Sequence, residues 1–145
     1  LKLMKEKGTY LAGTEFPVRY LNLYWNNLAR SQEFYDKVID QLKRAYKIGT
    51  PLVFSTDIIN TYENETRDVM ALNYLKGWID AGIPPKDIIK AMTINGAKLI
   101  GIEKNVGSIE EGKLADIIAT SHNPLEDINA LKKVIFVMKE GKRIR

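Results

Sequence analysis

The sequence predicts a mixed α/β fold, and three features carry that expectation. Strand-like and helix-like segments alternate as far as residue 104, joined by short connections. One of them, Pro51-Leu52-Val53-Phe54, is a short unbroken apolar run, as in a parallel strand covered on both faces. From Asn105 the texture changes to short strands separated by polar turns.

The elements follow in order. Leu1, Leu3 and Met4 have helical spacing, and Gly8 stops that turn. A chain that starts inside a helix and without an initiator methionine is expected to be a piece of a longer polypeptide. Thr9–Ala12 is a strand candidate broken at Gly13, and the aromatic segment 15–26 reads as a loop or broken helix. From Leu28, the residues Tyr35, Val38, Ile39, Leu42, Ala45 and Tyr46 fall on one helical face, which ends at Gly49. After Pro51–Phe54 comes a loop with Asp57, then a helix expected from Glu65 to Ala81. Its inner stripe is Val69, Leu72, Leu75 and Ile79. Pro84-Pro85 opens a third helix, with Ile88, Ile89, Met92 and Gly96 inward and Gly101 at its end. Ala115–Thr120 and Val134–Met138 read as strands with a short helical turn between them. Glu140-Gly141 then turns the chain so that Lys142–Ile144 pairs back as a hairpin. Two parallel strands make no stable sheet by themselves, so the rest of that sheet is expected from elsewhere.

Composition narrows the function classes. The chain has 145 residues, 45% apolar and 28% charged, the balance of a globular protein. It has no cysteine, which excludes disulfides and thiolate metal sites. No apolar run approaches the ~18 residues of a membrane helix, and no secretory signal pattern is present. The expected location is the cytoplasm, with no membrane partner. The net charge of +4 lies wholly in the first 50 residues, which hold nine basic and five acidic side chains. These charges are not clustered, so no nucleic-acid partner is expected.

Asp57 is the leading chemical candidate. An apolar strand that runs into Ser55-Thr56-Asp57 places a carboxylate at its carboxyl end, where barrel enzymes keep their catalytic groups. There it can ligate a divalent metal or take a proton from metal-activated water. The alternative is that it caps the next helix or binds loop amides. Glu15, near the end of the first strand candidate, either faces the same mouth or is simply exposed. Asn60 and Tyr62 either line a pocket or serve the loop, and Thr93 and Asn95 read as packing positions of a helix. His122 is the sole histidine, too few for a metal site, in the surface-loop sequence Ser-His-Asn-Pro.

The stretches Ala91-Met92-Thr93-Ile94-Asn95-Gly96-Ala97-Lys98-Leu99-Ile100-Gly101, Val106-Gly107-Ser108-Ile109-Glu110-Glu111-Gly112-Lys113-Leu114-Ala115-Asp116-Ile117, Asn123-Pro124-Leu125 and Val134 to Gly141 occur in that order. Together they resemble the end of metal-dependent amidohydrolases, in the imidazolonepropionase-like and Xaa-Pro dipeptidase-like branch. The resemblance implies the C-terminal part of a (β/α)8 barrel with strands of an appended β-sandwich. Residues 1–104 would hold barrel strands seven (Thr9–Ala12) and eight (Pro51–Phe54), and 105–145 the sandwich strands. It implies that Asp57 is the metal ligand and proton shuttle after strand eight. The metal would be divalent, with zinc the expected ion, and the substrate a small amide, cyclic amide or dipeptide. The family's metal histidines, on strands one, five and six, have no counterpart in this chain. The chain alone is therefore expected to be inactive, to retain no metal and to need a partner: the missing N-terminal part or further copies of itself. Two departures stand out: Ser55 where the family has glycine, and Ile58-Ile59 where it has small residues. The competing expectation is a non-enzymatic α/β protein that oligomerises through its exposed strand edges.

Overall fold

A computed structural model describes residues 1–58, 61, 62 and 64–145. The chain forms two compact units, Leu1–Pro84 and Pro85–Arg145, and its make-up is mixed α/β, as expected.

In the first unit the order is α1 (Lys2–Lys7), β1 (Leu11–Gly13), α2 (Val18–Trp25), α3 (Leu28–Ile48), β2 (Leu52–Phe54), α4 (Arg67–Asn73) and α5 (Leu75–Asp80). β1 and β2 pair in parallel, Leu11 opposite Leu52 and Gly13 opposite Phe54. The crossover between them contains α3, whose start is capped by the Asn27 side chain accepting from the Arg30 amide. Gly49 ends α3 in the left-handed conformation that glycine adopts without penalty, and β2 follows at once. Tyr35, Leu42 and Ala45 of α3 are buried, as the periodicity requires.

Three expectations fail in this unit. β1 starts two residues later than expected, at Leu11, and ends one residue later, at Gly13. The aromatic segment 15–26 is largely a regular helix, α2, which buries Tyr20 and Leu21. The helix expected over 65–81 is divided at Tyr74, where the amides of Tyr74 and Gly77 bond three residues back, to Ala71 and Tyr74. That tightening rotates the face that turns inward. Met70, Tyr74, Leu75 and Trp78 are buried, whereas Val69 and Ile79 of the expected stripe are 45% and 41% exposed.

The second unit has α6 (Pro85–Met92), α7 (Ile94–Leu99), β3 (Ile117–Thr120), a 3₁₀ turn (Ile128–Lys132), β4 (Val134–Lys139) and β5 (Lys142–Arg143). The single helix expected to Gly101 is broken at Thr93, whose hydroxyl donates to the Ile89 carbonyl at 2.7 Å. Such back-bonding bends helices, and here Thr93 leaves helical geometry altogether. β3, β4 and β5 form an antiparallel sheet in that order, with Ile117 opposite Met138 and Lys139 opposite Lys142. β3 is shorter than expected because Ala115 and Asp116 do other work. The Asp116 carboxylate accepts from the Glu140 amide at 2.8 Å and from Lys139 Nζ at 2.6 Å, which clasps the β4–β5 turn.

The segment from Gly107 to Asp116 is therefore a structural clasp. Lys113 donates to the Ser108 hydroxyl, and Gly107 lies against α7. A Cβ there would sit 2.9 Å from both the Ala97 Cβ and the Ile94 Cα, on a backbone with φ of +95°. Gly107→Ala is expected to lower stability by about 1–3 kcal/mol, read as a shift of the urea midpoint. An unchanged midpoint would show that the loop gives way freely. Among the described residues no helix is long and apolar enough to cross a membrane.

Candidate functional site

β1 and β2 end side by side, and the chain leaving each end carries the candidate groups. Ser55 donates from Oγ to the Gly13 carbonyl at 2.7 Å, tying the two strand ends together. The hydroxyl that distinguishes this chain from the glycine of its resembling family thus has a structural partner.

Asp57 follows two residues later. It is exposed, with φ of +48°, a left-handed geometry that aspartate tolerates better than most residues. The N-cap of α4 is Thr66, so Asp57 does not cap that helix. Its side chain borders a cleft of about 280 Å³ whose other walls come from α2, α3, α4 and the loops after β1 and β2. Ile58 lines the same cleft and packs on the buried cluster of Tyr20, Met70 and Tyr74. Tyr62 also lines it, stacked on Tyr20 with ring centroids 5.4 Å apart. Asn60 lies outside the described residues.

Glu15 meets neither of its expectations. It is 1% exposed and does not line the Asp57 cleft. Trp78 Nε1 donates to its Oε2 at 2.9 Å. Its side chain is folded back over Gly13 and lies against Gly77, where a Cβ would come within 2.0 Å of Oε1 and 2.6 Å of the Glu15 Cβ, respectively. Burial pushes the carboxyl up to about 7, and the indole bond only partly offsets this.

A second polar cluster was not foreseen. Arg19 reaches both oxygens of Glu65, at 2.6 and 2.7 Å, the Tyr20 hydroxyl donates to Glu65 Oε2, and Asn73 donates to that hydroxyl at 3.0 Å. The bond from Tyr20 and the Arg19 guanidinium hold the Glu65 carboxyl below its ordinary range. The density of aromatics in 15–26 was the one available signal. The partners lie some 45–53 residues apart in sequence, beyond any periodic pattern.

The remaining candidates belong to the second unit. Thr93 makes the helix break, Asn95 is half-buried on α7, and His122 is exposed with its Nδ1 2.9 Å from the Ser121 hydroxyl. Among the described residues no three His, Asp or Glu side chains are grouped to hold a metal ion. Among the described residues the site's chemistry is thus one rim carboxylate beside an aromatic cleft.

Comparison with known proteins places this geometry in a family. The amidohydrolase family model matches residues 1–144. The ochratoxinase of Aspergillus niger is 30% identical over 151 aligned positions, covering 97% of this chain and 30% of that protein. An imidazolonepropionase of Shouchella clausii is 35% identical over 97 residues, covering 65% of this chain and 21% of that protein. A crystal structure of a Xaa-Pro dipeptidase with methionine bound in its active site superposes with a TM-score of 0.83 at 29% identity, over 99% of this chain and 36% of that one. The chain therefore spans between a fifth and about a third of the lengths of these relatives. With that match over nearly its whole length, the chain belongs to the amidohydrolase family.

Proposed function

We propose that this chain is the C-terminal segment of a metal-dependent amidohydrolase that hydrolyses C–N bonds in a small amide, cyclic amide or dipeptide. The observation that carries the reading is Asp57, an exposed carboxylate at the carboxyl end of a parallel strand, bordering a ligand-sized cleft. On this reading β1 and β2 are strands seven and eight of a (β/α)8 barrel, spanning residues 1–104. Residues 105–145, with β3–β5, contribute to an appended β-sandwich.

The residues present fit a divalent metal such as zinc in kind but not in number. Asp57 is a suitable oxygen ligand, whereas a catalytic zinc takes about three protein ligands. A divalent ion, when bound, supplies Lewis acidity that makes water a nucleophile at neutral pH. Asp57 would supply one ligand oxygen to such an ion, and the same carboxylate would take up the proton released as water adds to the carbonyl carbon. Ser55, bonded to Gly13, holds the strand end from which Asp57 projects. The partner that completes the ligand set is the remaining part of the protein or other copies of this chain.

Two measurements test the reading. Metal analysis and amide hydrolysis are compared for the chain alone and for the chain joined to the polypeptide encoded upstream of Leu1. Activity and bound metal are expected only in the joined form, and Asp57→Asn there is expected to cost about 10²–10⁴-fold in kcat. Stoichiometric zinc with turnover in the isolated chain would refute the expected inactivity. Full activity in Asp57→Asn would refute the assignment of the carboxylate.

A further inference from the structure

The segment that leaves β2 and carries Asp57 is fastened to the segment that leaves β1 at both ends. At the start, Ser55 donates to the Gly13 carbonyl. At the far end, just before α4, Glu65 accepts from the Tyr20 hydroxyl and from Arg19. Between these points Tyr62 stacks on the Tyr20 ring, and Ile58, the neighbour of Asp57, packs on the cluster of Tyr20, Met70 and Tyr74. Tyr20 therefore holds this loop twice, with its ring and with its hydroxyl.

The two bonds to Glu65 differ in kind. The Arg19 side chain is 53% exposed, and exposed ion pairs contribute little. Tyr20 is 2% exposed, and its hydroxyl is flanked by Arg19 and by Asn73, which donates to it at 3.0 Å. A donation from a buried, oriented hydroxyl to an ionised carboxylate belongs to the stronger class of hydrogen bond. Asp57 also needs holding. Its φ of +48° lies in the left-handed region, where a residue other than glycine persists only when its surroundings fix it.

We propose that Tyr20 and Glu65 are positioning residues for Asp57: their bond ties the loop to α2 and so sets the direction in which the carboxylate points. The inference rests on the reading of Asp57 given above and adds to it what holds that group in place.

The test has two arms. In the first, amide order parameters are measured by NMR relaxation on the purified chain. Asp57, Ile58 and Tyr62 are expected near the rigid value of about 0.85 in the parent, and below about 0.6 in Tyr20→Phe and in Glu65→Ala, with α3 unchanged. The two substitutions remove one bond from opposite sides, and Tyr20→Phe keeps the buried ring, so a shared effect reports the bond. A mobile Asp57 in the parent, or a loop left rigid by both substitutions, would overturn the proposal. The second arm is amide hydrolysis by the joined protein. Tyr20→Phe is expected to lower kcat about 10–100-fold with little change in KM. It is expected to add nothing to Asp57→Asn, because a residue that acts through Asp57 has no route left once that carboxylate is gone. An unchanged kcat, or the same loss in both backgrounds, would also overturn the proposal. The arms keep the two readings apart. A loop loosened by both substitutions, in a joined protein that stays fully active with Asp57→Asn, would sink the assignment of Asp57 and leave the fastening standing. Activity lost in Asp57→Asn, with the loop rigid in both variants, would do the reverse.

Discussion

Glu15→Gln is expected to be more stable than the parent above pH 7 and close to it near pH 4.5. The carboxyl is 1% exposed, and burial raises it from about 4.5 to about 7. The folded state therefore binds this proton more tightly than the unfolded state. A raised carboxyl makes its full contribution below the unfolded value of 4.5, and that contribution is lost as pH rises toward 7. Above 7 the parent must either ionise a buried group or keep it protonated at a cost. A shift of this size corresponds to roughly 3 kcal/mol between the two limits. Glutamine keeps an oxygen for the Trp78 indole and has nothing to titrate. The measurement is the urea midpoint of both proteins from pH 4.5 to 8.5. Their difference should open across that window, which removes the contribution of every other titrating group. Parallel curves would show that the carboxyl reaches water in the native state.

Replacing Trp78 by alanine is expected to cost about 3–5 kcal/mol for the lost volume alone. The ring is 1% exposed and packs 5.7 Å from Phe54, at the end of β2. Its removal also deprives Glu15 of the donor seen in the structure, a further cost on the order of 1–3 kcal/mol. Trp78→Phe separates the two effects, since it keeps most of the ring and drops the N–H. Its cost should grow as pH passes 7, where Glu15 ionises and needs the donor more. Addition of Glu15→Gln should remove that growth with pH. A pH-independent cost in Trp78→Phe would mean that the indole bond does not respond to the charge of Glu15.

These effects arise because a glutamate sits where glycines make room for it. Gly13 and Gly77 present bare backbone to the Glu15 side chain from β1 and from α5. Their separation in sequence conceals this, and so the sequence left Glu15 as either a mouth residue or an exposed one. The Tyr20–Glu65–Arg19 cluster was hidden for the same reason, because its members come from α2 and from the turn before α4. Side-chain identity tells which groups can bond, and only the fold brings them within 3 Å.

What the sequence determined by itself was local or repetitive. The i, i+3, i+4 spacing of Tyr35, Leu42 and Ala45 predicted α3 and its buried face, because a single unbroken helix transmits periodicity faithfully. The apolar run ahead of Asp57 predicted β2, and the order of blocks from Ala91 to Gly141 predicted the amidohydrolase family. Tertiary structure decided where periodicity breaks. Tyr74 and Thr93 interrupt their helices through three-residue bonds and hydroxyl back-bonding. The break at Tyr74 turns Tyr74 and Trp78 inward in place of Val69 and Ile79. The aromatic walls beside Asp57 were likewise decided by packing, since the rings converge from helices and loops that no local rule relates.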